Sequence, residues 1–225
     1  MIDHVVLDVE IAHTIEETPG GWDATDKLGV AAACLWEYRT KRMRVYGSDD
    51  VQALQDRLLA ADRISGYNIF NFDFPVVFGI NKTDWMDEID SANLLDPDGK
   101  GYRDIFRLKK ILANKCNDLL RRIWIALGFN PDMDGPKMGG CKLDDIAATT
   151  IGAKKIGNGT DAPKWFKAGK VERVVNYCAD DVAIERDLTD FVDKYGYVIH
   201  KSRQLFLEEQ GIGQWTKPTT TTQSQ

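Results

Sequence analysis

The sequence predicts an α/β domain built on a mixed sheet flanked by helices, and three observations predict it. Val5, Val6 and Leu7 form a β-branched-rich run free of Gly and Pro, the mark of a strand covered on both faces. Two further apolar stretches, 28–38 and 43–46, follow across a short basic turn and predict an antiparallel hairpin. From residue 50 onward the chain switches to helical periodicities interrupted by short strands, ending in a long amphipathic run over 171–195. A length of 225 residues suits one substantial domain. We expect a single domain over 1–210 and a disordered Thr- and Gln-rich tail over 216–225.

Each element has its own justification. The loop over 13–27 breaks at Pro19-Gly20-Gly21. Ser48 or Asp49 caps a helix over 50–61, in which Val51, Leu54, Leu58 and Leu59 keep helical spacing. A strand over 63–67 leads into a second helix whose first turn accommodates Pro75. A strand over 91–95, a turn over 97–101 and a helix over 105–112 come next, then a helix over 117–127 ended by Gly128. A loop fills 130–140, a short helix 143–151, and the segment after the long helix, through residue 210, is expected to be helical.

The charge balance narrows the partners. With 35 acidic and 29 basic side chains the formal charge is −6, so any contact with a nucleic acid must be local, through a basic patch or through metals on acidic groups. No run of about twenty apolar residues or basic-then-apolar leader is present, so the expected setting is cytoplasmic, with no membrane contact. Cys34, Cys116, Cys141 and Cys178 are scattered, which supports neither a zinc knuckle nor a disulfide framework, and they are expected to pack as reduced small hydrophobes.

The chemistry-bearing residues are acidic. Asp8 and Glu10 lie two apart at the end of the first strand, so both project from one face, and a divalent cation is the simplest compensation for two like charges there. A solvated strand end is the other reading of that pair. On the late helix Tyr177 and Asp181 are four apart and share a flank, with Asp181 inward and Asp180 outward. Lys154, Lys155, Lys164, Lys167, Lys170 and Arg173, interleaved with Trp165 and Phe166, suit a groove that contacts phosphates and stacks a base. An ordinary solvated helix start with Trp165 in the core fits the same residues. Gly157-Asn158-Gly159 lacks the following lysine and helix of a phosphate cradle. His4, His13 and His200 have no ligand spacing.

Taken in order, Asp8-Val9-Glu10, Asn68-Ile69-Phe70-Asn71-Phe72-Asp73 and Tyr177-Cys178-Ala179-Asp180-Asp181 resemble the three motifs of the DEDD 3′–5′ exonucleases of the ribonuclease H-like superfamily. The stretch over 64–75 is similar to the second motif of family B DNA polymerase proofreading domains. Lys142-Leu143-Asp144-Asp145-Ile146-Ala147, with Ala162-Pro163-Lys164-Trp165, resembles stand-alone exonucleases of bacteria and phages. Asn176, at the position where the sister subfamily has histidine, favours the tyrosine branch. The resemblance covers residues 5–192.

It implies a ribonuclease H-like sheet, three antiparallel strands followed by parallel ones. It also implies a hydrolase that releases nucleoside 5′-monophosphates from a 3′ end with two divalent cations, Mg²⁺ or Mn²⁺, about 4 Å apart. Asp8, Glu10, Asp73 and Asp181 are carried over as metal ligands and Tyr177 as the residue orienting the attacking water. Asn68 and Phe72 become contacts to the terminal nucleotide, joined by Lys155 and Trp165 of the basic stretch. Single-stranded DNA is the favoured substrate. The alternatives are a 3′–5′ exoribonuclease, an endonuclease of the same superfamily, and a catalytically silent ribonuclease H-like module that only binds nucleic acid.

Overall fold

In the computed structural model the first strand, β1 (His4–Ile11), forms the middle of a five-stranded sheet. Residues 2–86, 101–131, 141–155, 157 and 159–208 are described. β2 (Val30–Glu37) pairs antiparallel with β1, and β3 (Arg42–Gly47) antiparallel with β2. On the other side β4 (Arg63–Gly66) pairs parallel with β1, and β5 (Cys116–Asp118) parallel with β4. The order β3-β2-β1-β4-β5 is therefore mixed, three antiparallel strands and then parallel ones, as expected. Val5, Val6 and Leu7 are fully buried, because β1 has a strand on each side and helices on both faces.

The helices are α1 (Val51–Ala60), α2 (Asp73–Phe78), α3 (Lys82–Met86), α4 (Gly101–Ala113), α5 (Leu119–Ala126), α6 (Leu143–Ile151), α7 (Ala162–Lys167) and α8 (Val171–Tyr195). Side chains alternate across β1, and this decides where the site forms. Val5, Leu7 and Val9 join Leu54 and Leu58 of α1 and Phe74 of α2 in the larger core. Val6 turns the other way and packs with Cys34, Cys178 and Val182 under α8. Asp8 and Glu10 share the parity of Val6, so they too face α8.

Two elements differ from expectation. The helix expected over 117–127 starts at Leu119, because Cys116, Asn117 and Asp118 form β5 against Ile64, Ser65 and Gly66. A three-residue strand is too short to show a period, and Asp118 then caps α5 by accepting from the Leu120 and Arg121 N–H groups. After α8 the chain is a hairpin, not a helix: β6 (Tyr197–His200) pairs with β7 (Arg203–Phe206). Gly196 ends α8 in the left-handed conformation, and Lys201 and Ser202 both take positive φ, the two-residue turn that matches strand twist. Lys-Ser lacks the Asn-Gly signature of that turn, so the sequence concealed it.

Residues 91–95 and 97–100, most of the 130–140 loop and the 216–225 tail lie outside the described residues. The four cysteines have free thiols, three of them buried and Cys116 half-buried. Among the described residues no helix is long and apolar enough to cross a membrane.

Candidate active site

Three segments converge where β1 ends. The first is β1 itself, which delivers Asp8 and Glu10. The second is the turn from β4 to α2, whose shape depends on a buried carboxylate supplied by β5. Asp118 accepts from the N–H groups of Asn68 at 2.9 Å and Phe70 at 3.0 Å as well as from its own helix, so one side chain ties the turn to α5. Asn68 sits in the left-handed region at φ 68°, which asparagine tolerates better than most side chains. Gly66 cannot carry a side chain: a Cβ there would lie 2.4 Å from Ile69 Cγ2 and 2.6 Å from the Leu7 carbonyl. Held this way, the turn ends with Phe72 next to the cleft and Asp73 buried at the start of α2.

The third segment is α8, where Tyr177 and Asp181 share one face and point at β1. Ligand oxygens of Asp8, Glu10 and Asp181 all lie within 4.8 Å of one another. Asp73 stands outside that trio but lines the same pocket, a cavity of about 910 Å³ that also exposes Asn68, Phe72 and Lys155. Asp180, as expected, faces solvent.

Bringing these acids together raises their proton affinity. Burial, reinforced by Asp181, pushes the Asp8 carboxyl up to about 7. Burial, with Asp8 and Asp181 as neighbours, pushes Glu10 up to about 10. Asp73 is driven well above its ordinary value by burial and by Asp8. Burial also raises Asp181, outweighing its ion pair with Lys155. Lys155 Nζ lies 2.5 Å from Asp181 Oδ2 and 5.0 Å from the centre of the Tyr177 ring. Burial alone would lower the proton affinity of this lysine, but Asp181, Tyr177 and Asp8 raise it overall. A cation thus already sits on the acidic cluster, and the hard carboxylate oxygens of Asp8, Glu10 and Asp181 could hold a metal ion.

The remaining candidates are placed as follows. Asn68 and Phe72 line the pocket. Trp165 is half-buried behind it: its ring meets Tyr177 edge-on at 5.8 Å and carries the Arg173 guanidinium at 4.1 Å, so it braces Tyr177. Three residues escaped the sequence reading. Trp22, in the glycine-rich loop after β1, is 56 % exposed and lines the pocket with its ring in tilted contact with Phe72, the ring centres 5.8 Å apart. A lone loop aromatic gives no periodic signal. Asp118 was hidden by the misread start of α5. Glu185 was legible, being four residues after Asp181 on an inward helix face.

No family model and no curated protein matches the chain. Among solved structures it is similar to the family B DNA polymerase from the hyperthermophilic archaeon Pyrobaculum calidifontis, with a TM-score of 0.53 and 17% sequence identity. The alignment covers 85% of this chain and 24% of the polymerase chain, so the present chain spans about a quarter of that protein's length. At this identity the likeness establishes a shared fold for the matched region.

Proposed function

We propose that this chain is a metal-dependent 3′–5′ exonuclease of the DEDD type, acting on single-stranded DNA. The observation that carries the reading is the convergence of Asp8, Glu10 and Asp181 from β1 and α8, with Asp73 on the same cavity. The order of the three motifs and the polymerase-like fold support it. Two divalent cations, Mg²⁺ or Mn²⁺, held by Asp8, Glu10, Asp73 and Asp181 would activate water and stabilise the leaving 3′ oxygen.

The chain's own residues do the rest. Tyr177, one helical turn before Asp181, holds the attacking water in line. Lys155 exchanges its partner Asp181 for a phosphate oxygen of the substrate. Asn68 and Phe72 position the terminal nucleotide. Lys164 lines the pocket and adds local positive charge that the acidic chain lacks overall. The internal pairing of Lys155 with Asp181 favours one second reading, a silent module whose acidic cluster is neutralised by its own lysine.

The test uses oligonucleotides labelled at the 3′ or the 5′ end, with Mn²⁺, Mg²⁺ or EDTA. Mononucleotide released first from the 3′ label, and lost in EDTA, is the expected result. Equal cutting within the strand, cutting of closed circles, or no cutting would overturn the exonuclease reading. DNA and RNA of the same sequence, compared side by side, decide the sugar preference.

Trp22 and Phe72 give a further expectation. Stacking one base on an aromatic ring contributes about 1–3 kcal/mol, so Trp22→Ala and Phe72→Ala are each expected to raise KM roughly tenfold. Their kcat should change less, because a ring that stacks on a base contributes to binding it and not to the charge developing at the phosphate. Steady-state kinetics on a single-stranded substrate check this, and an unchanged KM in both variants would remove the rings from the substrate path.

A further inference from the structure

On α8, Tyr177, Asp181, Glu185 and Thr189 recur every four residues and are all buried. Tyr177 and Asp181 have roles in the reading above; Glu185 has none. Its side chain is 1 % exposed and its Oε2 finds no hydrogen-bond partner among the described residues. A buried unpaired carboxyl oxygen is costly, and packing alone would be served as well by an apolar side chain. The seat is made by β4: a Cβ on Gly66 would come within 3.3 Å of that oxygen.

The charged groups around Glu185 identify what it serves. They are Asp8, Asp73 and Asp181, one from β1, one from α2 and one from its own helix, with Lys155 as the cation. Glu185 itself does not line the cavity into which those acids open. Asp8 is partly exposed to the cavity, yet its Oδ2 is buried and likewise unpartnered. Glu185 Oε2 sits beside the backbone that leads into Asp8, because one point, the Cβ position of Gly66, is 3.3 Å from that oxygen and 2.6 Å from the Leu7 carbonyl.

We propose that Glu185 is a positioning residue of the cation centre, standing behind Asp8, Asp73 and Asp181 and setting how tightly that centre holds a divalent ion. The proposal rests on the reading of those acids as a cation centre. Groups that orient ligand carboxylates from behind commonly change metal affinity by about 10–100-fold when lost.

The experiment titrates Mn²⁺ into wild type, Glu185→Met and Glu185→Gln, followed by calorimetry and by the paramagnetic resonance of free Mn²⁺, with metal-free melting measured alongside. Glu185→Met is expected to weaken Mn²⁺ binding about 10–100-fold. Glu185→Gln, which keeps polar atoms at the same place, should lose less. Metal-free Glu185→Met should melt no lower than wild type, since an unpaired buried acid has been replaced by an apolar chain of similar size. If both variants bind Mn²⁺ like wild type, the proposal is overturned, and a lowered metal-free melting point with unchanged affinity would make Glu185 a packing residue. Absence of Mn²⁺ binding in wild type would sink the cation reading itself, an outcome separate from the other two.

Discussion

Asp8→Asn is expected to lower 3′-end hydrolysis by about 10³-fold or more and, in the same protein, to raise the metal-free melting temperature. The two effects share one cause. Asp8 sits where β1, α2 and α8 converge, beside Glu10 and Asp181 in the close trio and with Asp73 as a charged neighbour. As a ligand it would anchor the cations, and losing several kcal/mol of charge stabilisation in the transition state corresponds to at least that rate factor. As a charge in the metal-free fold it is unfavourable, because burial and Asp181 both oppose its ionisation. The amide keeps the shape and removes that opposition. A gain of about 1 kcal/mol, or roughly 2–4 °C at this chain length, is the size expected when a strained functional charge is relieved. Cleavage rates and scanning calorimetry on one preparation test both halves. A variant that is inactive and less stable would give Asp8 a structural role, while a variant that still cuts would end the nuclease reading.

The same logic separates what the sequence revealed from what it hid. Asp8 and Glu10 were legible because strand parity is strict: their faces follow from Val6, which packs under α8 with Cys178 and Val182. Tyr177 and Asp181 were legible because four-residue spacing on a helix is equally strict. Those two rules place groups on faces, and they work where an element is long enough to have one. β5, at three residues, has no period, so its Asp118 could not be assigned to the turn it holds from 50 residues away in sequence. The hairpin after α8 was lost for a related reason, since its turn depends on positive φ at Lys201 and Ser202, residues without that habit. Trp22 reaches Phe72 only through the path of a loop, which no local pattern encodes. The pairing of Lys155 with Asp181 is likewise a tertiary fact, although the basic character of its segment was plain.

The proton affinities of the acidic cluster lead to an expectation about pH. Burial and like-charged neighbours push Asp8 up to about 7 and Glu10 up to about 10, above the 3.8 and 4.5 at which such groups ordinarily titrate. His4, lowered to about 4 by burial, works the other way up to its ordinary 6.5, but a folded state with raised values binds more protons than the unfolded chain between the two sets of values, so the contribution of these two acids to metal-free stability falls as pH rises through that window. The contribution is complete below about pH 4 and is lost progressively upward. Of these two, both contribute to the slope up to pH 7 and Glu10 continues above it, while Asp73, driven well above its ordinary value, acts in the same direction; each group can add at most about 1.4 kcal/mol per pH unit. Divalent ions bound as proposed would reverse the trend, because a cation that binds the ionised carboxylates displaces their protons. The melting temperature of the metal-free protein is therefore expected to fall from pH 5 to pH 8, while the increment produced by saturating Mn²⁺ grows over the same range. In Asp8→Asn the metal-free slope below pH 7 should shrink and the Mn²⁺ increment should nearly vanish. A metal-free melting point that rises with pH, or a Mn²⁺ increment equal at pH 5 and pH 8, would mean that these carboxylates are not crowded against one another as the fold places them.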